Sequence, residues 1–138
     1  NATIVPLDKA FLFDEALISL IVPYDDGQPL TDDSSIVVKA SYGDFNVLFT
    51  GDCGIDCESR IADIFTTVLV SNGACDSLSY AFLKEASPEH IIFTATPCKE
   101  TLDRVTGLAI PVLITSTDGD VVITSDGITY KVEHSKTR

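Results

Sequence analysis

The chain has 138 residues, a length that suits one domain able to bury about two thirds of the surface its unfolded form exposes. Its apolar fraction of 45% and charged fraction of 22% exclude the composition of a disordered chain. Nine Lys and Arg residues against 21 Asp and Glu give a net charge of -12. A phosphate backbone would be repelled over most of the surface, so we expect no direct nucleic-acid binding.

Four strands are predicted in the first third of the chain, over residues 3–7, 16–22, 36–40 and 46–50. The last two flank Tyr42-Gly43-Asp44, which is typical of a hairpin with a glycine in its turn. The apolar run at 16–22 is ended by Pro23, whereas a spanning helix needs about 20 residues, so we expect no membrane insertion. Residues 3–52 are therefore predicted to form a β-meander.

Helical spacing begins after Gly51-Asp52, where Ile55, Ile61, Ile64 and Phe65 fall on one face. A short strand over residues 67–70 follows. A second helix, capped by Asp76 or Ser77, is predicted to run to about Ala86.

A strand over residues 91–94 comes next, and then a helix with Pro97 in its first turn that ends near Gly107. Residues 112–114 form the last strand of this region. Strands and helices that alternate in this way predict parallel crossovers, so residues 53–115 are expected to form βαβ-type units.

The tail alternates apolar and polar residues on both sides of Ser125-Asp126-Gly127, which indicates an antiparallel hairpin over residues 117–133. Residues 1–138 are thus expected to form a single domain of the α/β class, a mixed β-sheet with helices packed on it. The opening Asn1-Ala2 looks like the remainder of an expression tag, so we expect the chain to be a piece of a longer protein.

Several strings in this order resemble the C-terminal half of a metallo-β-lactamase-fold domain. The most specific is Phe49-Thr50-Gly51-Asp52, where that fold has a strand ending in Leu-Thr-Gly-Asp. An apolar strand with Ser35, the turn at Ser87-Pro88 and the turn at Thr96-Pro97 fit as well. The nearest resemblance is to the hydrolase-like domain of ComEC-type competence proteins, bacterial membrane channels for DNA uptake. It implies half of an αββα sandwich, in a soluble domain on the outer face of the membrane.

The metal ligands of that family are largely missing. The His-x-His-x-Asp-His motif is absent, Asn72-Gly73 stands in place of a His-His pair, and Thr96 stands in place of a later histidine. Only Asp52 matches a ligand position, and its other interpretation is a cap for the following helix. A hydrolytic site needs about three protein ligands per ion, so one carboxylate is too few. The resemblance therefore implies a degenerate, non-catalytic interaction or structural module without a cofactor.

Two alternatives stay open. The chain could be the C-terminal half of an active phosphodiesterase or nuclease whose first metal motif lies upstream, and it would then bind zinc or manganese. It could also be a partner-binding domain without a connection to DNA. In each case we expect a protein partner, or the rest of its own chain, and a homo-oligomer because half of a sandwich leaves an apolar face open.

The cysteines offer a second set of candidate ligands. If the resemblance holds, the loops that carry Cys53, Cys57 and Cys75 face one another at the carboxyl ends of parallel strands. With Asp52 they could form a replacement zinc site, or they could form a disulfide. No catalytic residue is predicted, because His90 and His134 are interpreted as surface histidines without a nucleophile nearby.

Overall fold

The structure is a computed structural model that describes residues 10–21 and 35–136. The predicted strand over residues 3–7, and Val22 and Pro23 at the end of the strand predicted over residues 16–22, lie outside the described residues.

Seven strands form one mixed sheet in which spatial order follows chain order. The first three pairings are antiparallel and the last three are parallel, which confirms the predicted α/β class. The strands are β1 (Ala10–Phe13), β2 (Ala16–Ile21), β3 (Val37–Tyr42), β4 (Phe45–Phe49), β5 (Val68–Ser71), β6 (His90–Phe93) and β7 (Val112–Ile114).

Helices cover one face of this sheet. They are α1 (Ile55–Glu58), α2 (Tyr80–Ala86) and α3 (Lys99–Gly107). A further short helix, α4 (Thr115–Asp118), follows β7 directly. Their apolar side chains and alternate strand residues form the main core, which includes Leu48, Leu69 and Ile91 from the sheet and Phe82, Leu83 and Val105 from α2 and α3. Within the described part of the chain, no helix has the length and apolar character needed to cross a bilayer.

A two-stranded hairpin packs on the opposite face. It consists of β8 (Val121–Ser125) and β9 (Tyr130–His134), paired antiparallel. Neighbouring strand residues point to opposite sides of a sheet, so Val47 contacts this hairpin while Leu48 belongs to the main core. The smaller cluster combines Val47, Val68 and Ile92 with Val121, Ile123 and Tyr130.

Two glycine turns fix where the hairpin meets the sheet. Gly43 (φ +56°) turns between β3 and β4, and Gly127 (φ +88°) turns between β8 and β9. The N–H of Asp44 donates to the Gly127 carbonyl at 2.6 Å. A methyl group on Gly43 would overlap that carbonyl and lie 2.9 Å from its carbon.

Replacing Gly43 by Ala should therefore lower the free energy of unfolding by about 3 kcal/mol, from the left-handed backbone and the overlap together. Gly51→Ala is the matched control. Gly51 also has φ +55°, but the nearest atoms to an added methyl lie 3.9 Å away, so a loss of only about 1 kcal/mol is expected. Urea unfolding of both variants measures the difference, and equal losses would show that the contact between the turns contributes nothing.

A polar contact at the start of β9, next to the turn at Gly127, also holds the hairpin. The Tyr130 hydroxyl donates to Glu89 Oε2 at 2.7 Å and lies 2.8 Å from His90 Nδ1. A hydroxyl has one proton, so His90 Nδ1 must be the donor in the second bond. His90 is half-buried, so its interpretation as a surface residue is wrong, whereas His134 is exposed as predicted.

Tyr130→Phe should destabilise the fold by about 1–2 kcal/mol, because both hydrogen bonds are lost. Burial and the Glu89 carboxylate raise the pKa of Tyr130 from 10.0 to about 12. A folded pKa above the unfolded one gives stability that is full below pH 10 and is lost as the pH rises toward 12. Thermal unfolding from pH 8 to 12 should show the two proteins converging at the alkaline end, and a constant difference would contradict this role for Tyr130.

The prediction of a long helix after Gly51-Asp52 is wrong. Only Ile55–Glu58 is helical, and the chain continues as a loop to residue 67. The buried Glu58 carboxylate accepts the N–H groups of Leu78 and Ser79, at 3.0 Å for Ser79. Asp63 has φ +56° and binds Lys39 through both its carbonyl and its carboxylate. These tertiary bonds replace the helical ones and put Ile61 and Ile64 in the core without a helix.

Helix starts also differ from those expected. Ser79 caps α2 by accepting the Phe82 N–H at 3.2 Å, while the predicted cap Ser77 donates its hydroxyl to the Ala74 carbonyl. Pro97 lies one residue before the N-cap of α3, which is Cys98. Strand β1 and helix α4 were not predicted from the sequence.

Candidate functional site

The loops that follow β4 and β5 meet at the carboxyl edge of the parallel strands. Asn72 Nδ2 donates to Asp52 Oδ1 at 2.7 Å, which links the two loops directly. Asn72 Oδ1 accepts the N–H of Ala74 at 3.0 Å, so the amide also shapes its own turn. The N-cap of α1 is Gly54, without a side-chain cap, so the expected capping role of Asp52 is wrong.

Hydroxyl groups occupy the same edge after β6 and β7. Thr96 Oγ1 lies 3.2 Å from Ser116 Oγ, and Thr115 Oγ1 donates to the Thr94 carbonyl at 3.0 Å. These bonds join neighbouring loops to one another in the same way as the Asn72–Asp52 bond.

This donor set does not fit a pair of hydrolytic metal ions. At the positions that the sequence resemblance singled out, the one carboxylate is the exposed Asp52, which is hydrogen-bonded to the neutral amide of Asn72. Thr96 is neutral and engages Ser116. Hydrolytic sites use imidazole and carboxylate groups, about three for each ion, so no catalytic step follows from this arrangement.

The cysteines form two disulfides, Cys53–Cys57 and Cys75–Cys98. The loops after β4 and β5 do face each other, since the Ile55 N–H donates to the Asp76 carbonyl at 2.6 Å. Cys75 nevertheless pairs across to the loop after β6 and not with Cys53 or Cys57. In this oxidised form none of the four sulfurs is a thiolate that could bind a metal ion.

Spacing along the chain does not identify Cys98 as the partner of Cys75, although one signal points to it. It lies directly before α3, just after the strand predicted at residues 91–94. Adjacent parallel strands end at the same edge of a sheet, so the loops after β5 and β6 are neighbours there.

A groove opens on the hairpin side of the sheet. It has a volume of about 390 Å³ and runs between the sheet and β8. Phe45, Val70 and Ile92 line its floor with Ile123 on one wall, and Phe49 is 43% exposed at its mouth. This groove is predominantly apolar, which suits contact with an apolar surface more than binding of a charged substrate.

The open sheet face extends beyond the groove. Residues paired across neighbouring strands lie on the same face of a sheet. Val47 pairs with Ala40, Ala40 with Ile18 and Ile18 with Phe11, so all four lie on the hairpin side. We define the open face as Phe11, Phe13, Ile18, Val38 and Phe49. Phe11 is 44% and Phe13 78% exposed, so the apolar surface continues to the β1 edge of the sheet.

Comparison of the sequence with models of known protein families and with curated proteins finds no match.

The two disulfides should differ in their response to reductant. Cys53 and Cys57 are 1% and 2% exposed, whereas Cys75 is exposed and Cys98 half-buried. Thiol–disulfide exchange requires an attacking thiolate to reach a sulfur atom. Limiting reductant should therefore open Cys75–Cys98 first, which alkylation followed by peptide mass spectrometry can measure. Equal labelling of all four cysteines would contradict this order.

Proposed function

We propose that this chain is a non-catalytic interaction module, a degenerate metallo-β-lactamase-like domain of a ComEC-type competence protein. The proposal rests on the open face. Apolar side chains lie along it from Phe49 on β4 to Phe13 on β1, and no helix among the described residues covers them. Contiguous exposed apolar surface of this kind marks protein contact sites.

The partner that fits this face is an apolar protein surface. The sheet face presents phenylalanine and aliphatic side chains, and the hairpin covers only the part that contains Val47, Val68 and Ile92. The net charge of -12 opposes a nucleic-acid partner, because phosphates would be repelled. We propose that the rest of its own protein binds the open face, and that a second copy takes this place when the chain is isolated.

The alternative function, half of a hydrolase completed by an upstream zinc or manganese motif, needs ligands from this half as well. Asp52 would be the contribution of this half, and it is bonded to Asn72 at 2.7 Å. The donor set at the carboxyl edge therefore favours the interaction module.

The isolated chain should self-associate, and Phe49→Asp or Phe13→Asp should weaken that association at least tenfold, because a charge would be buried in an apolar contact. Sedimentation velocity over a range of protein concentrations measures the effect. Phe65→Asp is the matched control, since Phe65 is 60% exposed in the loop before β5 and lies outside the open face.

Two outcomes would contradict the proposal. One is a monomeric wild-type chain at every concentration tested. The other is an equal loss of association in Phe65→Asp, which would mean that general surface hydrophobicity drives the contact. Circular dichroism of each variant verifies that the fold is retained.

A further inference from the structure

The exposed disulfide has a carboxylate beside both of its sulfurs. Glu100 Oε2 lies 2.6 Å from Cys98 Sγ and 3.8 Å from Cys75 Sγ. Disulfide sulfurs carry no proton, so these are close contacts and not hydrogen bonds. Among the described residues, Cys75, Cys98 and Glu100 form the one group of three candidate ligand atoms that lie within 4.8 Å of one another.

We propose that reduction of Cys75–Cys98 converts this group into a zinc site, with the two thiolates and the Glu100 carboxylate as ligands. Thiolate and carboxylate groups are both ordinary zinc ligands, and three protein ligands leave the fourth tetrahedral position to water. Neither Asp52 nor the Cys53–Cys57 pair belongs to this group.

The backbone around the cysteines is held together by bonds other than the disulfide. The Cys98 N–H donates to the Gly73 carbonyl at 2.8 Å, and Thr101 Oγ1 donates to the Ala74 carbonyl at 2.6 Å. Arg104 Nη2 donates to the carbonyl oxygens of Cys75 and Ser77, at 3.0 and 2.7 Å. These bonds tie the loop after β5 to α3, so the two thiols stay adjacent when the disulfide opens.

The geometry suits a metal with small adjustments. The Cα atoms of Cys75 and Cys98 lie 5.1 Å apart, and two sulfurs on one tetrahedral zinc at about 2.3 Å would lie about 3.8 Å from each other. Side-chain rotation achieves that separation without moving the backbone. Glu100 needs little movement because it already lies in the first turn of α3, two residues after Cys98.

The chemical steps balance with a phosphine or dithiol as reductant. A phosphine attacks one sulfur and the S–S bond breaks; water then supplies the oxygen of the phosphine oxide and the two protons of the thiols. A dithiol is instead oxidised to its own disulfide and passes its two thiol protons to Cys75 and Cys98. Zinc then displaces both thiol protons to solvent and forms two Zn–S bonds and one Zn–O bond. Zinc binding would thereby oppose reoxidation, because the thiolates are no longer free to form the disulfide.

The test uses the whole chain with Cys53→Ala and Cys57→Ala, so that only one disulfide can respond. After reduction by a phosphine and its removal without oxygen, the protein is titrated with zinc in competition with a chromophoric chelator. We expect about one zinc per chain in the reduced protein and none in the oxidised protein. Cobalt in place of zinc should give a thiolate-to-metal charge-transfer band.

Glu100→Gln separates a zinc ligand from an incidental neighbour, because it leaves both cysteines in place. It should weaken zinc binding at least tenfold while circular dichroism stays unchanged. Glu85→Gln, which replaces an exposed carboxylate on α2, is the matched control and should bind zinc like the parent.

The proposal is overturned if the reduced protein binds no zinc, if Glu100→Gln binds as tightly as the parent, or if binding survives in Cys75→Ser. Unfolding on reduction would overturn it as well, because the hydrogen bonds to α3 would then be insufficient to hold the site. None of these outcomes depends on whether the open face associates.

Discussion

The parallel pairing of β4 through β7 decides what chemistry this domain can perform. Because the strands lie side by side in chain order, the four loops after them meet at one edge, and their side chains make up the site there. In those loops the Asp52 carboxylate binds the Asn72 amide, and the Thr96 hydroxyl binds that of Ser116. The side chains at this edge therefore link neighbouring loops to one another.

The same sheet explains the difference between its two faces. Side chains alternate along each strand, so Leu48 and Leu69 enter the helix-covered core while Val47 and Phe49 face the hairpin side. The hairpin is fastened at the glycine turns and at Tyr130, and it covers the end of the sheet near β4 to β7. The apolar surface toward β1 is the part that an interaction partner would bury.

Local patterns predicted much of this fold from the sequence. Alternating apolar and polar residues, together with glycine turns, predicted β3, β4, β8 and β9. The succession of strands and helices along the chain predicted the parallel half of the sheet. The helix prediction fails where contacts between distant residues override local preference. Glu58, at the end of α1, binds Ser79, and Asp63 in the following loop binds Lys39. The Cys75–Cys98 pairing likewise depends on which loops are neighbours. Spacing along the chain did not identify this pair, whose members are 23 residues apart.

The Asp52 carboxylate, bonded to the Asn72 amide, is too small a ligand set for a hydrolytic metal centre. The most direct measurement is the rate at which the oxidised chain hydrolyses an activated phosphodiester in the presence of manganese or zinc, compared with the Asp52→Asn variant. Both proteins should match the metal-only background. Metal-dependent turnover that Asp52→Asn abolishes would contradict this expectation.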